Sequence, residues 1–235
     1  MMHHHGTPIT PRRILLQLAG CNFCVPWSDP RDVECCHEIG QSVLLDNGAY
    51  SIWRLGDEPD WEGYANWVRP WLEYKTTWAV MPDVIEGTEE ENDELIVWLF
   101  AHHRDVWKRS APVWHMHESI TRLRRLCMGY DRVCVGSSGE YIPGQPNWHR
   151  RMDEAFDAID GTDTWMHMLR AMDTVSVGPW PFASADSTNI ARNWNRNGGA
   201  VPMVAQIDAR QTPARWRQSS SQLTIDDVLA LVEAD

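Results

Sequence analysis

The residues best suited to chemistry in this chain stand at the ends of short apolar runs. In order they are Asp46-Asn47-Gly48-Ala49-Tyr50, Pro82-Asp83, His115-Met116-His117, Gly136-Ser137-Ser138-Gly139, His167, and Asp186-Ser187-Thr188. Carboxylates and imidazoles can transfer protons or trap an electrophilic carbon near neutral pH, and small residues let the backbone approach a ligand closely. Successive segments lie 19 to 37 residues apart, the length of single β/α units. In a barrel built from such units all six converge on the C-terminal mouth, where barrel enzymes place their active sites.

Each segment also has an ordinary reading. Asp46-Asn47-Gly48 is a good tight turn, and Asp186-Ser187-Thr188 a good helix cap. His115 and His117 point to opposite faces of a strand, which disfavours a metal pair and suits a histidine satisfied in the core. The 136–139 stretch lacks the lysine of a phosphate loop. What raises the set above its members is their order along the chain.

The elements that must carry these residues follow from periodicity. Apolar runs at 14–18, 43–45, 79–81, 113–115, 132–135, 165–169 and 201–207 are expected strands. Tyr64, Trp67, Val68 and Trp71 form a helical stripe behind an Asp60 cap, ended by Pro70. Thr88 with Glu91 makes a capping box, Ser119 caps a stripe of Ile120, Leu123 and Leu126, and Met152, Ala155, Phe156 and Ile159 form another. Thr224 with Asp227 predicts a last helix. Alternating strands and helices with no long linker predict one α/β domain over residues 1–235, a small (β/α)8 TIM-type barrel, with residues 1–12 a flexible N-terminal segment. The histidines of Met1–Gly6 are assigned no function, and a Rossmann reading lacks its glycine-rich turn after the first strand.

Composition bounds the partners. The 235 residues are 43% hydrophobic and 23% charged, which excludes disorder. No apolar run is long enough to cross a bilayer and no secretory h-region follows the N-terminus, so a cytoplasmic protein with no membrane partner is expected, its six cysteines reduced. The net charge of −12 argues against a general nucleic-acid coat. It is unevenly spread: residues 57–94 hold twelve acids against two bases, whereas 186–217 carry five arginines, Arg192 and Arg196 among them, against two aspartates. Those arginines read either as a phosphate-binding rim or as a solvated face. Fourteen tryptophans serve as core and as surfaces on which bases or sugars stack. Cys21, Cys24, Cys35 and His37 have partial zinc-ligand character, with plain thiols as the other reading.

Taken in order, the segments resemble a known family. Asp46-Asn47-Gly48-Ala49-Tyr50 resembles the Asp-Ser-Gly-Gly-Phe/Tyr motif of the tRNA-guanine transglycosylases. Met81-Pro82-Asp83 resembles the family's strand ending in a base-recognising aspartate, Val135-Gly136-Ser137 its Val-Gly-Gly, Met166-His167-Met168-Leu169 its His-Tyr-Leu, and Phe182 to Ser187 the segment bearing its nucleophile. The resemblance runs from about Val43 to Asn193. Trp114-His115 stands in place of the family's glutamine, Ser137 in place of its second glycine, and Arg170 and Ala171 depart from the residues after its His-x-Leu unit. No cysteine follows Cys134, so the zinc module of the tRNA enzymes has no counterpart, and the chain looks closest to compact phage-type relatives that place 7-deazaguanines into DNA.

The resemblance implies a pentosyltransferase that exchanges guanine for a preQ0-like 7-deazaguanine in DNA, or in tRNA as the alternative, through a covalent aspartyl-sugar intermediate. Asp186 would be the nucleophile and Asp46 the general acid and base, the two-carboxylate logic of retaining glycosidases. Asn47, Asp83, His115, Gly136, Ser137 and His167 would line the base site and Tyr50 would stack on the base, with Asp83 accepting from the guanine edge. Arg192 and Arg196 would meet phosphates, and no cofactor is implied. An enzyme reaching C1′ in a duplex must flip the nucleotide out. Two rivals stand beside this reading: a metal-dependent barrel hydrolase using His115, His117, His167 and an aspartate, and a non-catalytic nucleobase or nucleic-acid binder.

Overall fold

A computed structural model describes residues 1–196 and 198–217. Nine strands, all parallel, carry the chain around a nearly closed barrel. They are β1 (Met2–Gly6), β2 (Asn22–Pro26), β3 (Ser42–Asp46), β4 (Thr77–Val80), β5 (Ser110–Ala111), β6 (Val113–His115), β7 (Arg132–Gly136), β8 (Trp165–Met168) and β9 (Ser184–Ser187). Eleven α-helices are found among the described residues: α1 (Arg12–Leu16), α2 (Val33–Ile39), α3 (Ala49–Leu55), α4 (Trp61–Val68), α5 (Glu89–His102), α6 (Arg104–Trp107), α7 (Ile120–Gly129), α8 (Pro146–Ile159), α9 (Met172–Val175), α10 (Asn189–Asn193) and α11 (Ala200–Asp208). This is the α/β, TIM-type architecture that the alternation implies. None of the helices is long and apolar enough to cross a membrane.

Strand β1 pairs with β2 on one side and β9 on the other, which joins the beginning of the sheet to its end. Strands β5 and β6 are the two halves of one stave broken at Pro112. The first half pairs with β4 and the second with β7, and the Pro112 carbonyl still accepts from the Cys134 amide at 2.9 Å. Proline has no N–H to give a ladder, so the break falls where a donor is missing.

The period of two sorts the side chains. One set, including Phe23, Val25, Val43, Leu45, Ala79, Val133 and Val135, packs outward beneath the helices. The other, including Cys24, Leu44, Trp78, Val80, Val113 and Cys134, fills the barrel. Four helical expectations hold: Asp60 accepts from the Gly63 amide at the start of α4, which ends before Pro70; Thr88 and Glu91 close a capping box on α5; Ser119 caps α7; and Met152 to Ile159 form the buried face of α8.

Three expectations fail. Residues 1–12 are not a flexible lead-in: Met2–Gly6 is a central strand, and α1 begins at Arg12. Its buried histidines meet residues distant in sequence, although His3 Nε2 and His4 Nδ1 have no hydrogen-bond partner among the described residues. His3 and His5 reach Asp208 of α11 at 3.3 and 3.1 Å, while His4 packs edge-on against Trp78 and His167. The apolar runs at 14–18 and 201–207 are not strands but parts of α1 and α11, whose buried residues Ile14 and Leu15, and Ala200, Met203, Val204 and Ile207, follow helical spacing. The helix expected at Thr224 lies outside the described residues.

Candidate active site

Asp46 is the last residue of β3, Asp83 lies just beyond β4, His115 ends β6, Gly136 ends β7, and His167 and Asp186 lie in β8 and β9. Because every strand is parallel, these positions gather at one end of the barrel.

Two hydrogen-bonded groups form there. In the first, Asp83 is buried and both its oxygens are engaged: Asn47 Nδ2 donates to Oδ1 at 2.5 Å and His115 Nε2 donates to Oδ2 at 2.8 Å. Asn47 also donates to the Met81 carbonyl, while its own Oδ1 accepts from the Ala49 amide, which locks the rotamer. Gly48 sits at φ +77°, and its amide reaches the Asp46 carboxylate at 3.2 Å. Asp46-Asn47-Gly48 therefore forms the tight turn its composition suits, and that turn holds the Asp46 carboxylate beside the Gly48 amide. The other imidazole nitrogen of His115, Nδ1, is buried without a partner, and a Cβ placed on Gly136 would come within 2.9 Å of it. Glycine at 136 is a steric requirement of this site.

In the second group, Asp186 accepts from the Arg170 amide at 3.1 Å and from His167 Nε2 at 3.4 Å. The tautomer of His167 follows from its neighbours. A carboxylate can only accept, so the contact with Asp186 places the imidazole proton on Nε2. Nδ1 then accepts from the Ser184 hydroxyl at 2.7 Å, and that oxygen accepts from Trp165 Nε1 at 2.8 Å.

Asp46 connects the two groups electrostatically. Burial first, then the nearby Asp186 and Asp83 carboxylates, raise its pKa to about 7 against the opposing pull of Arg170. Arg170 is the residue that sequence reasoning undervalued. Its backbone is left-handed at φ +70°, its amide holds Asp186, and its guanidinium lies 3.5 Å from the centre of the Tyr50 ring. A positive φ in a non-glycine residue is strain, and nothing in the sequence around Arg170 signals it. The aromatic face expected to receive a base is here covered by an arginine.

The remaining expected residues fall as follows. Ser137 accepts from Trp148 Nε1 at 2.8 Å. His117 does not point away from His115, as alternation along a strand would have it, but stacks on it beyond the end of β6 with ring centroids 5.8 Å apart; its two nitrogens are engaged by Ser138 Oγ and the Gly87 carbonyl. Arg192, in α10 directly after β9, and Arg196 are exposed. Cys24 packs in the barrel interior, Cys35 lies in α2, and His37 is held by the Val33 carbonyl and Thr77, so these do not meet Cys21 as a zinc site. Among the described residues the group whose ligand atoms do come within 4.8 Å of one another is His5, Cys21 and Asp208, on the outer side of β1.

Compared with known proteins, the chain matches no protein-family model, no curated protein and no solved structure.

Proposed function

We propose that the chain is a guanine transglycosylase-like pentosyltransferase that exchanges guanine for a 7-deazaguanine in a polynucleotide, DNA before tRNA. The observation that carries the reading is the pairing of Asp46, which keeps its proton to about pH 7, with Asp186 at the same mouth. A carboxyl group that holds its proton can serve proton transfer while a second carboxylate at the same mouth attacks, the division used by retaining glycosidases.

The Asp186 carboxylate attacks C1′ as the C1′–N bond breaks. The bonding pair leaves with guanine, and Asp46 supplies the proton that makes the base a competent leaving group. The aspartyl-sugar ester is resolved in reverse: the Asp46 carboxylate takes the proton from the ring nitrogen of the incoming base, that nitrogen bonds to C1′, and Asp186 is released. His167 steadies the Asp186 carboxylate through its Nε2–H. Asp83 keeps lone pairs for the guanine edge beside those used by Asn47 and His115, and a base lacking matching donors would leave it underpaired. The base takes the Tyr50 face, displacing the Arg170 guanidinium toward the strand's phosphates. Arg192 and Arg196 extend that cationic rim.

The test is incorporation of labelled guanine or 7-deazaguanine into DNA and tRNA in parallel, with a denaturing gel to detect a covalent protein–oligonucleotide adduct. Wild type is expected to incorporate label and Asp186→Ala to lose both label and adduct. Equal incorporation in Asp186→Ala ends the assignment, and base binding without exchange in every arm makes the protein a binder instead.

A further inference from the structure

A cavity of about 530 Å3 lies not at the mouth but at the N-terminal end of the barrel. Trp78 of β4, Arg132 of β7 and Trp165 of β8 form its inner wall, and Lys75 and Lys108 stand exposed at its rim. Its volume falls within the range of small-molecule sites.

Arg132 is the unusual group. Its guanidinium lies over the rings of Trp78 and Trp165, 4.2 and 5.2 Å from their centroids. Its Nε is buried with no hydrogen-bond partner, and no carboxylate lies within ion-pair distance of it among the described residues. The neighbouring Arg109 is already committed to the carbonyls of Tyr74, Lys75 and Thr77. A half-buried cation left unpaired is costly unless something that binds there completes it, and stacking on tryptophan answers only part of the need. The charge around it runs against the molecule. Four basic residues and one acid, Asp131, line this cavity in a chain whose net charge is −12.

We propose that this cavity is a binding site for a small phosphate ester, with the phosphate on Arg132 and the rim lysines and the organic part against Trp107 and Tyr130. A planar guanidinium fixed by aromatic stacking presents its N–H fork to a phosphate, and focused positive charge draws such an anion from solution. The site does not depend on the transglycosylase reading, since it lies at the other end of the barrel from Asp46 and Asp186. It does adjoin that machinery: Trp165, a wall of the cavity, is bonded to the same Ser184 hydroxyl that holds His167.

The experiment is titration of the full chain with inorganic phosphate, GMP and guanosine, followed by calorimetry and tryptophan fluorescence at about 50 and 300 mM salt. GMP is expected to bind at one site per chain, more weakly at the higher salt, with guanosine about tenfold weaker or worse for lack of the charge-assisted contact. Arg132→Gln should cost a similar factor. Lys108→Ala, at an exposed position that leaves the fold intact, should weaken GMP several-fold and flatten the salt dependence, so a failure of Arg132→Gln to fold leaves the question decidable. Equal affinity for GMP and guanosine, or indifference to Lys108→Ala, overturns the proposal.

Discussion

Asp46 makes the sharpest statement a single residue offers here. Its pKa is raised from 3.8 to about 7, so between those values the folded protein keeps a proton that the unfolded chain releases. The stability tied to that proton is complete below the unfolded value and is lost as pH rises through 7. The same proton is the one the departing base needs, so exchange should fall along an apparent pKa near 7 while substrate binding holds. Asp46→Asn should abolish that limb and reduce the loss of denaturation midpoint between about pH 5 and pH 8. A midpoint that falls equally in wild type and Asp46→Asn would show that this carboxyl is not the group concerned. On the opposite side of β1, Asp208 titrates the other way. Burial works against its charge, but hydrogen bonds from His3 and His5 prevail and hold it well below its usual range, so its contribution is present above the unfolded pKa and is lost on acidification.

At the scale of elements, the mouth is held in register by a buried ion pair between Glu118, before α7, and Arg122 within it. Glu118 accepts from Arg122 at 2.6 Å, from the His115 amide at 2.8 Å and from Asn92 of α5 at 3.0 Å, tying β6, α7 and α5 together just behind His115. Leaving one charge of such a pair alone costs about 3–5 kcal/mol, less here because Arg122 keeps Asp93 at 3.0 Å, whereas replacing both by apolar residues is often nearly neutral. Glu118→Ala should therefore be destabilised more than the double variant Glu118→Leu with Arg122→Met. Urea denaturation of the two compares them directly, and a double variant worse than the single one would refute the pair's role. The elements also show what the sequence could reveal. The N-caps of α4, α5 and α7 and the amphipathic stripes of α4, α7 and α8 depend on neighbours three or four residues away, and they were readable. The polar strand β1 was not, because what receives His3 and His5 is an aspartate some 200 residues further on, and His4 packs on Trp78 and His167. The site was legible for a similar reason of scale: one residue per strand end needs only the order of the strands. Arg170 needed a backbone angle that no neighbouring residue announces.

For the molecule as a whole, β1 is the stave between β2 and β9, buried along His3 to Gly6 and hydrogen-bonded on both sides. Removing residues 1–6 would expose two strand edges and empty part of the interior, so the shortened chain should lose cooperative thermal unfolding and the near-ultraviolet signal of its packed tryptophans. A truncated chain that melts like the full-length one would show the barrel to be closed by other means.

That pairing also orders events in time. Met2 stands opposite Ser184, so β1 must go without one of its two neighbours until the chain has been synthesised through β9. Contacts so far apart along a chain are slow to form, and the ring can only be sealed late. Both the carboxylate mouth and the basic cavity borrow residues from the far arc, β7 to β9. A nascent chain interrupted before that arc emerges would carry Asp46 and Trp78 with nothing to face them, and neither binding end would yet exist.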